Sequence, residues 1–287
     1  METTPPTDDG QAALWNGAAG RAWVEAQDVL DRMFKPFEDL LATAASTASG
    51  GRVLDVGCGT GGTTLAIAQH LGEGGRCTGI DISEPMIAAA RVRAESEPAP
   101  ASFILADAQD HAFEPASIDM IVSRFGVMFF EDPVRAFANL RHAVKDDGEL
   151  RFIAWRSPAE NPFMTTAERA AAPLLPKLPA RRPDAPGQFA LADAQRVQTI
   201  LDNSGWSGID IQPIDVSCTL PEQELIPYLS RLGPVGRMLQ EVDEGSRGQV
   251  IETVRAAFDP YVKGSAVHFF AACWMVSARA ISTPQRR

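Results

Sequence analysis

Short apolar segments alternate with helical segments from residue 52 to residue 155, and this alternation constrains the fold more than any other feature. The pattern predicts strands at 52–57, 76–80, 102–106, 118–123 and 150–155, and helices at 63–71, 84–94 and 133–144. Strands that alternate with helices of this length form parallel βαβ units, and helices cover both faces of such a sheet. We therefore predict an α/β fold built on a mostly parallel sheet.

The flanking segments are less regular. Residues 1–10 are expected to be a disordered leader, and apolar residues at helical spacing from Trp15 to Leu41 predict two consecutive helices with a bend near Pro36. Seven prolines between residues 156 and 190 exclude a regular sheet element there. The pattern then predicts a helix at 193–203, a strand at 209–220, a helical stretch at 221–263 and a strand at 268–276. The last two strands bring the predicted Rossmann-like sheet to seven strands.

This pattern predicts an interrupted core that is closed by additional segments. The expected parts are an N-terminal helical lid at 1–50, a core at 51–155, an insertion at 156–190, more core at 191–220, a helical insertion at 221–263, and the last strand and tail at 264–287. We expect the lid and both insertions to cover one edge of the sheet.

Charge and cysteine content narrow the classes of partner. The formal net charge of −11 repels nucleic-acid phosphates and anionic lipids. The first residues lack the pattern of a secretory signal, and no apolar run is long enough for a membrane helix. The four cysteines are too widely spaced for a zinc site or a disulfide framework. We expect a cytoplasmic protein with a small-molecule partner, without nucleic acid, membrane or metal, and a homodimer stays open.

A glycine-rich turn follows the first strand of the core, with the sequence Asp-Val-Gly-Cys-Gly-Thr-Gly-Gly at residues 55–62. Glycines let the backbone turn sharply and approach a ligand, and the next helix offers free N–H groups. Gly57, Gly59 and Gly62 also satisfy the dinucleotide-binding spacing G-x-G-x-x-G. The turn therefore predicts a nucleotide-like cofactor and leaves its class open.

Three carboxylates favour one class of cofactor. Asp55 precedes the first glycine by two residues, and Asp81 and Asp107 follow the second and third strands. The carboxyl ends of adjacent strands share one ligand crevice in an open sheet. Asp55 would repel a pyrophosphate but attract an ammonium or sulfonium group by about 4 kcal/mol at an effective dielectric of 20. Asp81 can accept from ribose hydroxyls and Asp107 from an adenine amino group, so we predict a positively charged nucleoside.

Over residues 52–155 these features resemble the class I S-adenosylmethionine-dependent methyltransferases. The resemblance implies that S-adenosyl-L-methionine is the cofactor. Its methionine part would lie on the glycine turn, its ribose beside Asp81, and its adenine beside Met86, Asp107 and Ala108. The implied cofactor residues are Asp55, Gly57, Gly59, Gly61, Asp81, Ile82, Met86, Asp107, Ala108 and Arg124. A turn acid at Asp55, a core methionine at Met86 and a surface charge at Arg124 are the alternative interpretations.

Residues 124–130 (Arg-Phe-Gly-Val-Met-Phe-Phe) are similar to the small-molecule branch of that family, which includes ubiquinone and menaquinone biosynthesis methyltransferases. Trp15, Phe125 and Met128 are predicted to bind the methyl acceptor, with core packing as the alternative for part of this aromatic run. The residue types favour a neutral acceptor, aromatic or isoprenoid, that is methylated on O, N or C.

No catalytic residue is identified. A general base is needed only where the nucleophile must lose a proton, and His111, the histidine nearest the crevice in sequence, is more simply a loop residue. Two alternatives to a methyltransferase stay open, an NAD(P)-dependent oxidoreductase and a non-catalytic module that binds S-adenosylmethionine.

Overall fold

The structure is a computed structural model that describes residues 10–97, 99–182 and 185–281. Within them, one sheet contains eight strands: β1 (Arg52–Val56), β2 (Arg76–Asp81), β3 (Ala101–Leu105), β4 (Ile118–Arg124), β5 (Val144–Trp155), β6 (Ser207–Pro221), β7 (Val262–Lys263) and β8 (Ala266–Arg279). The order across the sheet is β3-β2-β1-β4-β5-β8-β6, and the short β7 pairs with β8. Strands β1 to β5 are parallel, whereas β8 is antiparallel to its neighbours. The predicted seven-stranded, mostly parallel, Rossmann-like sheet is confirmed, with β7 as an addition.

Eleven α-helices occupy the same described ranges: α1 (Gln11–Asn16), α2 (Ala18–Glu25), α3 (Gln27–Ala45), α4 (Gly62–His70), α5 (Glu84–Ser96), α6 (Pro133–Ala143), α7 (Pro162–Ala171), α8 (Ala194–Asn203), α9 (Leu225–Arg231), α10 (Gly233–Met238) and α11 (Glu244–Ala257). In the core, α4 packs on β2, α5 on β2 and β3, and α6 on β5. Each described helix is too short or too polar to cross a bilayer. The division into lid, core and insertions stays a prediction.

The strand register places the three carboxylates at one edge of the sheet. Asp55 near the end of β1 lies opposite Gly79 of β2 and Val122 of β4. Asp81, the last residue of β2, lies opposite Leu105, the last residue of β3. Because these strands are parallel, their carboxyl ends open on the same side, where a Rossmann-like sheet binds its ligand.

The expected division of the N-terminal segment into two helices near Pro36 is wrong. Helix α3 continues from Gln27 to Ala45 with Pro36 inside it, and the breaks fall at Gly17 and Ala26. A proline inside a helix costs about 3 kcal/mol. Burial of Met33 and Phe37 on either side offsets this cost, since a fully buried apolar side chain contributes about 1.5–3 kcal/mol. Residues 1–9 of the predicted leader lie outside the described residues.

Candidate functional site

A cavity of about 590 Å³ opens at the carboxyl ends of β1, β2 and β4. This volume lies within the range of about 300–1,000 Å³ that is typical of small-molecule sites. Every predicted site residue except Gly61 lies in its wall: Trp15, Asp55, Gly57, Gly59, Asp81, Ile82, Met86, Asp107, Ala108, Arg124, Phe125 and Met128. The structure thus brings together residues that are far apart in the sequence.

The glycine turn is shaped by close backbone contacts. Gly57 has a φ of +68°, and its N–H donates to the Ile80 carbonyl at 2.9 Å. A Cβ on Gly57 would lie 2.5 Å from Gly126 Cα, and a Cβ on Gly126 would lie 2.5 Å from the Val56 carbonyl oxygen. Only glycine fits at both positions. Sequence reasoning missed Gly126, although it lies within the segment singled out after β4.

Gly61 has a different role from the other two glycines of the motif. It precedes α4 with a φ of +85°, and a Cβ there would lie 2.8 Å from Phe103 Cζ. The absence of a side chain at Gly61 therefore allows α4 to begin close to Phe103 of β3. Gly61 itself does not line the cavity.

Asp55 is a buried carboxylate beneath the turn. Its Oδ2 accepts a hydrogen bond from Thr64 Oγ1 at 2.7 Å. Burial raises its pKa to about 6, although the Thr64 hydrogen bond and the positive charge of Arg124 lower it. Asp55 is therefore mostly ionised at neutral pH, and its buried charge lowers the stability of the ligand-free protein. A cationic ligand beside Asp55 would offset this cost.

Asp81 joins the glycine turn to the loop after β2. Its Oδ2 accepts from the Gly59 N–H at 2.8 Å, and its Oδ1 accepts from the Ser83 N–H at 2.9 Å. Burial raises the pKa of Asp81, and these backbone hydrogen bonds oppose the rise. A carboxylate oxygen can accept two hydrogen bonds, so Asp81 can also accept from a ligand.

Met86, Asp107 and Ala108 form the next part of the cavity wall. Met86 is buried, and its Sδ would lie 3.7 Å from a Cβ on Gly59. Asp107 follows β3, and its Oδ1 accepts from the Gln109 N–H at 2.8 Å. The Ala108 carbonyl accepts from Asn139 Nδ2 at 3.0 Å. These hydrogen bonds hold the loop that follows β3, and Met86, Asp107 and Ala108 all line the cavity.

Three buried polar atoms in the wall have no hydrogen-bond partner within the described ranges: Gln27 Oε1, Thr63 Oγ1 and Arg124 Nη1. A buried polar group that lacks a partner costs about 1–3 kcal/mol. The acid paired with Arg124 is Asp31, whose Oδ1 lies 3.9 Å from Arg124 Nη2. A donor and two oxygens therefore point to a ligand with both negative and positive groups. No sequence motif points to Gln27, whereas Thr63 follows directly on the glycine turn.

Helix α1 contributes to the cavity wall and is hydrogen-bonded to the loop that follows β2. Asn16 Nδ2 donates to the Ile82 carbonyl at 3.0 Å, and the Glu84 N–H donates to Asn16 Oδ1 at 2.7 Å. Ser83 Oγ donates to the Trp15 carbonyl at 2.7 Å. The Trp15 ring meets Phe129 edge-on, with 5.1 Å between ring centroids. The first described helix therefore closes on the loop that follows β2.

Phe125 and Met128 belong to both the cavity wall and the core. Phe125 is 8% exposed, and its ring stacks on Trp155 with 4.7 Å between centroids. It also has a φ of +65°, which is strained for an aromatic residue. Met128 is 2% exposed. Both residues therefore line the cavity and pack in the core, and their contact with an acceptor stays a prediction.

Another part of the wall comes from the segments 156–190 and 221–263, which sequence reasoning left without site residues. They contribute apolar side chains such as Phe163, Met164 and Val235. Tyr228 Oη contacts Met164 Sδ at 3.9 Å, and burial raises the pKa of Tyr228 to about 12. They also contribute four charged side chains, Glu168, Arg181, Arg231 and Arg237. We call this part of the cavity the acceptor half.

The four histidines are all described, and they lie outside the cavity wall. The His111 ring packs edge-on against Phe113, with 4.7 Å between ring centroids. Among the described residues, no group of three or more His, Cys, Asp or Glu is placed to hold a metal ion.

Comparison with known proteins yields similar sequences and folds. Residues 53–148 match the family model described as a methyltransferase domain. Aklanonic acid methyltransferase DauC of Streptomyces sp. (strain C5) is 31% identical over 139 residues, which are 47% of this chain and 63% of that protein. Demethylmenaquinone methyltransferase of Bacillus mycoides (strain KBAB4) is 30% identical over 110 residues, 38% of this chain and 46% of that protein. The match thus spans less than two thirds of the length of each of these curated relatives.

One solved structure has the same fold at lower sequence similarity. A SAM-dependent methyltransferase from Aquifex aeolicus superposes with a TM-score of 0.52 and 16% identity, over 90% of this chain and 97% of that one. At this identity the likeness concerns the fold alone.

Proposed function

We propose that this chain is a class I S-adenosylmethionine-dependent methyltransferase and that it transfers a methyl group from S-adenosyl-L-methionine to an O, N or C atom of a small apolar or aromatic molecule. The match of residues 53–148 to a methyltransferase domain and the similarity to aklanonic acid methyltransferase support the resemblance drawn from the glycine turn and its three carboxylates. The observation that carries the proposal is the cavity at the ends of β1, β2 and β4, whose wall combines those carboxylates with three unpartnered polar atoms of the described chain.

The residues present fit this cofactor. Arg124 Nη1, which lacks a partner among the described residues, would donate to the methionine carboxylate, whereas Asp55 and Gln27 Oε1 would accept from the ammonium group. Asp81 would accept from the ribose hydroxyls. The adenine would lie among Ile82, Met86, Asp107 and Ala108. The glycines Gly57 and Gly59 leave room for the backbone to approach the ligand, and Gly61 holds the turn.

When bound, S-adenosylmethionine supplies an electrophilic methyl carbon, whose bond to sulfur breaks with its electron pair going to sulfur as the acceptor atom forms the new bond. The protein contributes alignment and the exclusion of water. Positioning of two reactants can lower the barrier by about 7–11 kcal/mol. Trp15, Phe125 and Met128 provide an apolar surface beside the reacting atoms, and α1 shields it from solvent.

The acceptor is proposed from the character of the acceptor half and from the relatives. Its wall is mainly apolar and contains Phe163, Met164, Leu232, Val235 and Phe258. One relative is named for methylation of aklanonic acid and another for demethylmenaquinone. Both names describe small molecules, so we propose an apolar or aromatic small molecule here. A cytoplasmic location, the absence of nucleic-acid and membrane partners, and a homodimer remain predictions of the sequence.

Turnover tests the proposal. The protein is incubated with S-adenosylmethionine and a panel of hydroxylated aromatic, quinol and carboxylic-acid acceptors, and release of S-adenosylhomocysteine is measured. We expect acceptor-dependent release for at least one class. Binding of the cofactor without release across the panel would instead support the alternative of a non-catalytic module.

A further inference from the structure

The acceptor half carries an excess of positive charge. Segments 156–190 and 221–263 contribute three arginines and one glutamate to the cavity wall, in a chain whose formal net charge is −11. A purely apolar acceptor would make no use of this charge. The charged side chains that these two segments place in the cavity wall are therefore mainly positive, although the chain as a whole is negative.

Two of the three arginines are neutralised by partners. Arg181 donates to both carboxylate oxygens of Glu168, at 2.8 and 2.5 Å, and its guanidinium lies over the Phe189 ring. Arg231 is exposed at the rim and lies 3.6 Å from Glu25. These two side chains are accounted for by contacts within the protein.

Arg237 on α10 is different. Its side chain has neither an ion pair nor a hydrogen bond with any residue that the structure describes, and only the longer-range attraction of Glu168 acts on it. It is partly buried and lines the cavity. Burial lowers its pKa, but a guanidinium stays charged in proteins. A partly buried cation without a counter-ion is costly, and an anion in the cavity would remove that cost.

We propose that the methyl acceptor carries an acidic oxygen group, a carboxylate or an acidic phenol, and that Arg237 is its counter-ion. This inference rests on the proposed function and makes it more specific. An apolar molecule with one acidic group satisfies both the apolar wall and the unpaired arginine. The neutral acceptor expected from the residue types after β4 leaves the charge of Arg237 uncompensated.

A pair of fluorescent probes separates charge recognition from apolar binding. The probes are 1-anilinonaphthalene-8-sulfonate and N-phenyl-1-naphthylamine, which share their rings and differ by the anionic group. Each is titrated into protein saturated with S-adenosylhomocysteine. We expect Arg237→Gln to weaken binding of the sulfonate about tenfold or more, as for hydrogen bonds to charged groups, and to change binding of the neutral probe less than about twofold.

For three further variants we predict the direction or the size of the change in sulfonate binding. Arg237→Lys keeps the positive charge and should retain sulfonate binding within about threefold, which guards against misfolding of the glutamine variant. Arg231→Gln removes a paired cation at the rim, and exposed pairs contribute little, so it should change sulfonate binding less than about threefold. Glu168→Gln removes the acid that competes for Arg237 and Arg181, and it should strengthen sulfonate binding.

The inference is overturned if Arg237→Gln weakens both probes equally or neither of them, or if Glu168→Gln weakens the sulfonate. Thermal stabilisation by S-adenosylhomocysteine is measured on the same samples. If the wild-type protein is not stabilised, the proposed function fails. If it is stabilised but Arg237→Gln affects the two probes alike, only the proposal of an anionic acceptor is refuted.

Discussion

Replacing Asp55 by asparagine should make the ligand-free protein more stable and its cofactor binding weaker. Asp55 is buried, and its pKa is raised from the ordinary 3.8 to about 6. Between these two values the folded state binds a proton that the unfolded chain has already lost. The free energy of unfolding therefore rises as pH falls from above 6 toward 4, and at pH 8 the ionised side chain destabilises the fold.

The magnitude follows from the pKa. A difference of about two units corresponds to about 3 kcal/mol at about 1.36 kcal/mol per unit. An asparagine side chain at this position is uncharged and its carbonyl oxygen can still accept from Thr64, so Asp55→Asn should recover most of this energy at pH 8. For a domain of this size that is a rise in Tm of roughly 5–10 °C. The gain should shrink as pH falls toward 4, because the wild-type carboxylate becomes protonated there.

The same substitution should weaken S-adenosylhomocysteine binding about tenfold or more, since a charged hydrogen bond to the ammonium group is lost. Calorimetric titration at pH 7.5 and thermal unfolding of ligand-free protein at pH 8 and pH 5 measure the two effects. A lower Tm at pH 8, or an unchanged affinity, would refute the reasoning.

Asp119→Asn is the matched control. Asp119 lies near the opposite end of β4 and accepts from Lys145 Nζ at 2.7 Å and the Arg52 N–H at 2.8 Å. These partners hold its pKa below the ordinary value although burial opposes them. The ionised group therefore contributes stability above its ordinary pKa, and this stability is lost as pH falls through the lower folded value. Asp119→Asn should lower Tm slightly at pH 8, whereas Asp55→Asn should raise it. The control should leave cofactor affinity unchanged.

Three other changes test the remaining contacts of the site. Asp81→Ala should reduce affinity for S-adenosylhomocysteine about tenfold or more in calorimetric titration, because the ribose and the turn both lose a charged acceptor; unchanged affinity would remove this residue from the site. Gly126→Ala should lower Tm and abolish binding, since its Cβ would lie 2.5 Å from the Val56 carbonyl oxygen; a binding-competent variant would show that the close approach is dispensable. Asn16→Ala removes hydrogen bonds to Ile82 and from Glu84, and it should speed dissociation of the cofactor in stopped-flow fluorescence; an unaltered rate would argue against closure by α1.

The core of the fold was accessible from the sequence because strands and helices there follow simple periodic patterns. The strands β1 to β4 are short and apolar, and the acids at the ends of β1 and β2 and after β3 share an edge by the geometry of parallel strands. The wall residues Asp55, Asp81 and Asp107 could therefore be predicted without coordinates.

Two kinds of feature could not be predicted. The continuity of α3 through Pro36 depends on tertiary burial, which local propensity does not report. The contributions of Gln27 and Arg237 depend on where distant helices fold back over the sheet, and neither residue belongs to a local motif. These two residues reach the cavity only through tertiary packing, so no local sequence pattern reveals them.

The central claim is that acids at the ends of neighbouring strands select a positively charged nucleoside over a phosphorylated one. Titration of the purified protein with S-adenosylmethionine, alone and in the presence of excess NADH, tests it most directly. We expect one molecule of S-adenosylmethionine to bind with an affinity that NADH does not change. Binding of NADH that displaces S-adenosylmethionine, or no heat on addition of S-adenosylmethionine, would contradict the claim.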